Sequence, residues 1–285
     1  MNAVKLNNIQ KSLGNFNLNI DNLEVKEGYI TGFIGKNGSG KTTTIKLIMN
    51  MLIPSSGEIT LWNKEMLNNE IEIKQQIAYI GIDSGFPIDS KLKTIKKIIS
   101  PFYKNWDDNI YKNYIKKFNL DENKKFKDLS QGMKKQFELV IALSHKPKLL
   151  IMDEPTVNLD PVIRNKFLEI LNDNMQNEDL SIFYSTHITS DLEKSADYIY
   201  FIDEGKIILN GEKDKLLENH KLIKGPLHLL NSESEKLFIS INKNSFGFEG
   251  LCSNFKNAYN FFGNEANYEK ATLDHLILYY TRRNH

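Results

Sequence analysis

The feature that most restricts this chain is Gly35-Lys36-Asn37-Gly38-Ser39-Gly40-Lys41-Thr42, a G-x-x-x-x-G-K-T pattern. Before it, after a turn at Gly28, Tyr29 to Ile34 has the apolar and β-branched make-up of a strand. After it, Lys41 to Leu52 carries Ile45, Leu47, Ile48, Met49 and Leu52 at helical spacing, until Pro54 and the turn at Ser55 to Gly57. A strand that runs through a glycine loop straight into a helix leaves backbone N–H groups of the loop and first helical turn unpaired and facing one spot. That spot suits phosphate oxygens, and the partial positive charge of the helix end adds to it. Lys41 stands where its ammonium meets the β- and γ-phosphates of a nucleotide. Thr42 stands where its hydroxyl joins the shell of a bound Mg2+, with Thr43 next to it. The backbone of Gly35, Asn37, Gly38, Ser39 and Gly40 is expected to form the cradle.

Leu149 to Met152 is a second apolar run, and it closes on Asp153 and Glu154. Two carboxylates ending a strand can simply cap the next helix. Beside a phosphate loop, Asp153 suits Mg2+ and Glu154 suits the general base that polarises an attacking water. His187 follows a further apolar run, with ring nitrogens that can orient a reacting group. Leu129-Ser130-Gln131-Gly132-Met133 reads as a helix start, with Ser130 either an ordinary N-cap or part of an anion site. Asp160-Pro161 reads as an N-cap followed by proline at the first helical position.

Strand patterns at Val4 to Ile9 and Leu18 to Val25 precede the loop, and others at Ser181 to Ser185 and Tyr198 to Ile202 follow the acidic strand. They alternate with helical patterns near Val162 to Met175 and Thr189 to Ala196, so the expected fold class is α/β, a mainly parallel sheet covered by helices. From about Ser84 to His145 the apolar residues Ile95, Ile98, Ile99, Phe102, Ile110, Tyr114 and Phe118 recur at helical spacing, which predicts an inserted helical subdomain. Asp203 to Lys206 predicts a hairpin. Residues 221–285 form a small annex, with a strand at Lys236 to Ile241 and a helix at Leu273 to Tyr280.

Lys and Arg total 37 against 36 Asp and Glu, and so balanced a chain has no basic field to make nucleic acid its principal partner. Cys252 is the one cysteine, which excludes an intrachain disulfide and fits a reducing compartment. Met1 to Gln10 lacks a secretion signal, so no cleavage is expected, and no run approaches the roughly 20 apolar residues that cross a bilayer. The expected place is the cytoplasm, with any membrane role exercised through a partner.

These motifs together resemble the nucleotide-binding domain of the ABC transporter family over about residues 1–220. The resemblance implies a P-loop NTPase fold: a RecA-like parallel core with an antiparallel β subdomain, the helical insert at about 84–145, and the annex beyond. It implies ATP and Mg2+ as ligands, ATP hydrolysis coupled to transport, and a dimer of cassettes closed around two ATP molecules. Leu129 to Met133 resembles the family signature, with Gln131 and Met133 in place of the commoner Gly and Gln. On that basis Ser130 and Gly132 meet the γ-phosphate held by the other protomer. Asn158-Leu159-Asp160 resembles the dimer-contacting D-loop, and His187 the switch histidine that contacts γ-phosphate and the catalytic glutamate. The implied partners are a second ATPase protomer, identical or different, and an integral membrane permease. The subunit would sit at the cytoplasmic face of the membrane, with no cargo or nucleic acid contact of its own.

The chain departs from the family in two places. Ile82 stands where a glutamine is usual, leaving Asp83 either as a metal ligand or as a loop-capping residue. Leu13 stands where an adenine-stacking tyrosine is common, leaving Phe16 or Tyr29 for that role or for core packing. Phe86, Pro87, Phe102, Tyr103 and Trp106 give the insert an aromatic density that fits either plain core or a groove for a cytoplasmic helix of the membrane subunit. The signature variant, the stretch Phe102 to Asp107 and the short annex resemble bacterial exporters of antimicrobial peptides and phenol-soluble modulins. A nucleic-acid or ribosome ATPase of the same family is the alternative, but it would carry a long coiled-coil insert or two cassettes. A P-loop kinase or GTPase would lack the signature and the switch histidine.

Overall fold

The computed structural model describes residues 1–83, 85–176 and 180–283; Ser84, where the expected insert begins, lies outside them. The chain opens with β1 (Asn2–Leu13), β2 (Phe16–Lys26) and β3 (Ile30–Ile34), then α1 (Lys41–Ile48), β4 (Ser56–Leu61), β5 (Lys64–Glu65), α2 (Met66–Lys74) and β6 (Ile77–Ile80). The insert is helical as expected: α3 (Leu92–Ile99), α4 (Asp108–Lys117) and α5 (Gln131–Ser144), with short 3-10 turns between them. There follow β7 (Leu149–Asp153), α6 (Pro161–Met175), β8 (Ser181–Thr186), α7 (Thr189–Ser195), β9 (Tyr198–Asp203), β10 (Lys206–Glu212) and α8 (Lys213–Asn219). The annex comprises β11 (Lys221–Gly225), β12 (Phe238–Asn244), β13 (Gly247–Cys252), α9 (Phe255–Phe262), β14 (Asn267–Lys270) and α10 (Leu273–Arg283).

The central sheet has six strands in the order β10-β9-β3-β8-β7-β6, parallel from β9 to β6 and closed at one edge by the antiparallel β10. All positions of β3, β7 and β8 are buried. Alternate residues serve two different cores, which is why Leu149 to Met152 reads as an unbroken apolar run. Leu150, Met152, Ile182 and Tyr184 join the core on the helical side, whereas Leu149, Ile151, Phe33 and Phe183 join a second core beneath the antiparallel sheet β2-β1-β4-β5 and α1. The α1 helix stops at Ile48, short of the expected Leu52, because Asn50 takes a left-handed φ of 56°.

The annex sheet, β12-β13-β11-β14, is wholly antiparallel. The strand expected from Lys236 begins at Phe238 instead, because Ser234–Leu237 winds a 3-10 turn first. Its residues Leu273, Leu276 and Tyr279 share the main core with Leu192 and Ala196, so α10 lies against α7. A polar contact reinforces that seam: the Leu273 amide donates to Glu193 Oε1 at 3.0 Å, while the Lys213 ammonium of α8 donates to the Glu193 carbonyl at 2.9 Å.

Candidate active site

Because β3, β8 and β7 are parallel neighbours, their carboxyl ends lie side by side, with Ile34 opposite Thr186 and Ser185 opposite Asp153. The loop after β3, the acidic pair ending β7 and His187 just past β8 therefore meet at one edge of the sheet, where α/β folds bind ligands.

Gly40 caps α1 with φ 114°, a conformation that L side chains rarely adopt, and a Cβ there would meet Leu18 and Phe16. A Cβ on Gly35 would lie 2.4 Å from the Ile202 carbonyl oxygen, so the loop lies directly on β9. Its turn brings Lys41 back over itself. The ammonium is 5% exposed and donates to the carbonyls of Gly35 at 2.7 Å and Lys36 at 3.1 Å. It also lies 3.1 Å from Glu154 Oε1 as an ion pair. Across the same carboxylate, His187 Nδ1 lies 3.0 Å from Glu154 Oε2.

Ser185, to which the sequence reading gives no role, organises both acids. Its hydroxyl donates to Asp153 Oδ1 at 2.5 Å and accepts from the Glu154 amide at 3.1 Å. Glu154 turns out of the strand with φ 51°, directing its side chain toward Lys41 and His187. Two buried oxygens at this edge, Asp153 Oδ2 and Ser39 Oγ, have no partner among the described residues. Buried polar atoms are rarely left so, and a hard, unpartnered carboxylate oxygen fits Mg2+. Nearby, burial holds the Tyr79 phenol above its usual range, with the charges of Asp153 and Asp83 acting in the same direction.

A cleft of about 400 Å³ is lined by Asn37, Gly38, Gly40, Lys41, Thr42, Thr43 and Glu154, with Leu13, Phe16 and Ile82 as its apolar walls. Phe16 is thus the aromatic at the nucleotide loop. Tyr29 precedes β3 at the other end of the strand, edge-on to Tyr198 with ring centroids 5.3 Å apart. Asp83 is not among the cleft residues; it lines a separate groove with Glu138 and Tyr103.

Ser130, Gly132 and Asp160 form a second group. Ser130 caps α5, its hydroxyl accepting from the Met133 amide at 3.2 Å, and it is exposed. Asp160 caps α6 through the amides of Val162 and Ile163. A Cβ on Gly132 would lie 2.7 Å from Ile163 Cδ1, so the two helix starts are packed together. None of the three lines the cleft at Lys41.

Residues 18–157 match the family model described as ABC transporter. The lantibiotic transport ATP-binding protein SrtF of Streptococcus pyogenes is 33% identical over 220 residues, 74% of this chain and 91% of that protein. The chain belongs to the ABC transporter ATP-binding family. The ABC transporter ATP-binding protein YtrB of Bacillus subtilis is 30% identical over 218 residues, 76% of this chain and 74% of YtrB. A solved ATP-binding subunit of an ABC transporter superposes with a TM-score of 0.68 at 25% identity, over 76% of this chain and 92% of that one. The fold is accordingly the P-loop cassette of ABC ATPases. Among the described residues of this cassette no helix is long and apolar enough to cross a membrane.

Proposed function

We propose that this ABC ATPase hydrolyses ATP with Glu154 as general base and His187 as its orienting partner. The supporting observation is the placing of one carboxylate between Lys41 and His187, at 3.1 and 3.0 Å, at the mouth of the phosphate loop. Lys41 neutralises the β- and γ-phosphates, and the loop amides and the α1 N-terminus take the remaining phosphate oxygens. Thr42 and Asp153 would hold Mg2+, which when bound neutralises charge gathering on the phosphates. Asp83, which also lines the groove beside α5, is the further candidate for that shell. Phe16 is assigned to the adenine.

The exposed Ser130 cap, apart from the cleft of its own chain, is read as the lid for the ATP of a second protomer, with Asp160 at the seam. The groove of about 490 Å³ beside α5 is read as the seat of a cytoplasmic helix of a membrane permease. The aromatics of the insert divide there. Phe86 packs edge-on to Phe126 and Phe137, and Trp106 lies against the core, whereas Phe102 stays 72% exposed. Gln75 holds the Phe102 backbone in place, donating to its carbonyl at 2.6 Å and accepting from the Lys104 amide at 3.0 Å. On this reading the subunit works at the cytoplasmic face of a membrane. The transport of a lantibiotic named for one relative favours peptide export.

Glu154→Gln tests the reading: turnover should fall by a factor on the order of 1,000, the scale of a lost general base, with ATP still bound and the dimer stabilised. Undiminished hydrolysis would remove Glu154 from the role.

A further inference from the structure

Asp191 is 1% exposed, and a buried carboxylate is costly unless both its oxygens are engaged. Here each oxygen is taken by a different element. Thr156 Oγ1 donates to Oδ2 at 2.6 Å, and Arg164 Nε donates to Oδ1 at 2.5 Å. Arg164 Nη2 also donates to Ser190 Oγ at 2.9 Å, gripping α7 a second time.

The positions of these partners along the chain give the contact its meaning. Thr156 lies two residues beyond Glu154. Arg164 lies one helical turn beyond Asp160, and its amide donates to the Asp160 carbonyl at 2.9 Å. Asp191 lies in the first turn of α7, four residues beyond His187. One carboxylate therefore ties together the three segments that carry the proposed base, the D-loop aspartate and the switch histidine. Asp191, Thr156 and Arg164 do not line the nucleotide cleft.

We propose that Asp191 is a positioning residue of this ATPase: through Thr156 and Arg164 it fixes the register of the Glu154 and His187 segments that the hydrolytic step needs. The inference rests on the roles given above to Glu154 and His187. Loss of the contact lets those segments slide against each other, and misplacement by about 1 Å of a reacting group costs on the order of 100-fold in rate. Phosphate binding at Lys41 does not run through Asp191, so affinity for ATP should be spared.

The test is steady-state ATPase and nucleotide binding on the full chain, with melting temperature as a fold control, for Asp191→Asn, Thr156→Val and Thr156→Ser, with Glu154→Gln as reference. Asp191→Asn and Thr156→Val should each lower kcat by about 10- to 100-fold with KM and ATP affinity within about twofold of wild type. Thr156→Ser, which keeps the hydroxyl, should restore most of the rate. Should Asp191→Asn fail to fold, Thr156→Val carries the test, because it leaves the Arg164 pair intact. Unchanged kcat per folded molecule, an equal loss in Thr156→Ser and Thr156→Val, or a KM that rises as far as kcat falls would overturn the proposal. If Glu154→Gln is inactive while Asp191→Asn turns over normally, only the positioning role is lost. If Glu154→Gln turns over normally, the reading beneath it is lost as well.

Discussion

Replacing Ser185 by alanine isolates the contact on which the acidic edge depends. The hydroxyl is fully buried, and among the described residues its bond to Asp153 Oδ1 is the one partner that carboxylate has, since Oδ2 is unpaired. The Glu154 amide loses less, because it also donates to the Ser185 carbonyl at 3.1 Å. The cost is therefore that of one hydrogen bond to a buried charge, about 2 kcal/mol. At about 2–4 °C per kcal/mol for a chain near this size, the nucleotide-free protein should melt about 4–8 °C lower. Thermal unfolding followed by circular dichroism measures this directly. Ser185→Cys, similar in size but a weak donor, should fall between the two. A Ser185→Ala melt within about 1 °C of wild type would mean that Asp153 does not rely on this hydroxyl, and the account of the edge would fail.

Three further outcomes are expected. Lys41→Ala should weaken ATP binding about 30-fold in a calorimetric titration, the equivalent of losing a charged contact worth about 2 kcal/mol to the phosphates. Phe102→Ala should weaken capture of the membrane subunit about 10-fold or more, the value of a phenyl ring buried at an interface, and leave the ATPase of the isolated chain unchanged. His145 is stacked on Tyr103 at 3.9 Å, and burial holds its pKa down to about 4. The unfolded chain, titrating near 6.5, binds more protons than the folded one between those values, so stability rises with pH across the window and is lost as pH falls through it. Denaturant titrations should show about 2 kcal/mol less stability at pH 5 than at pH 7.5 from this group, a difference absent in His145→Phe.

What could be read from the sequence is what local chemistry encodes. The glycine loop needs its spacing to turn at all, and Leu149 to Met152 of β7 is an unbroken apolar run because both of its faces are covered. The hairpin at Asp203 to Lys206 forms as expected, with Glu204 and Gly205 both at positive φ. What escaped the sequence reading is non-local. Ser185 meets Asp153 32 residues away, and Asp191 meets Thr156 35 residues away, through a sheet order that no local pattern states. The α2 helix buries only Met66 and Ile73, leaving Leu67 and Ile71 exposed, too faint a stripe to announce a helix. The annex strands are four to seven residues long and pair out of sequence order, so their signal lies in packing rather than periodicity.

The seam between α10 and α7 carries one more consequence. The helix that follows His187, the proposed switch, is backed by α10: Leu192 shares one core with Leu273, Leu276 and Tyr279, and Glu193 is tied to the first residue of α10. A trigger mounted in this way cannot recoil alone. If His187 swings with its helix in the proposed cycle, it must drag the tail along or shear a packed apolar joint, so on this reading the tail adds inertia, and trimming it would strip the trigger of its backstop.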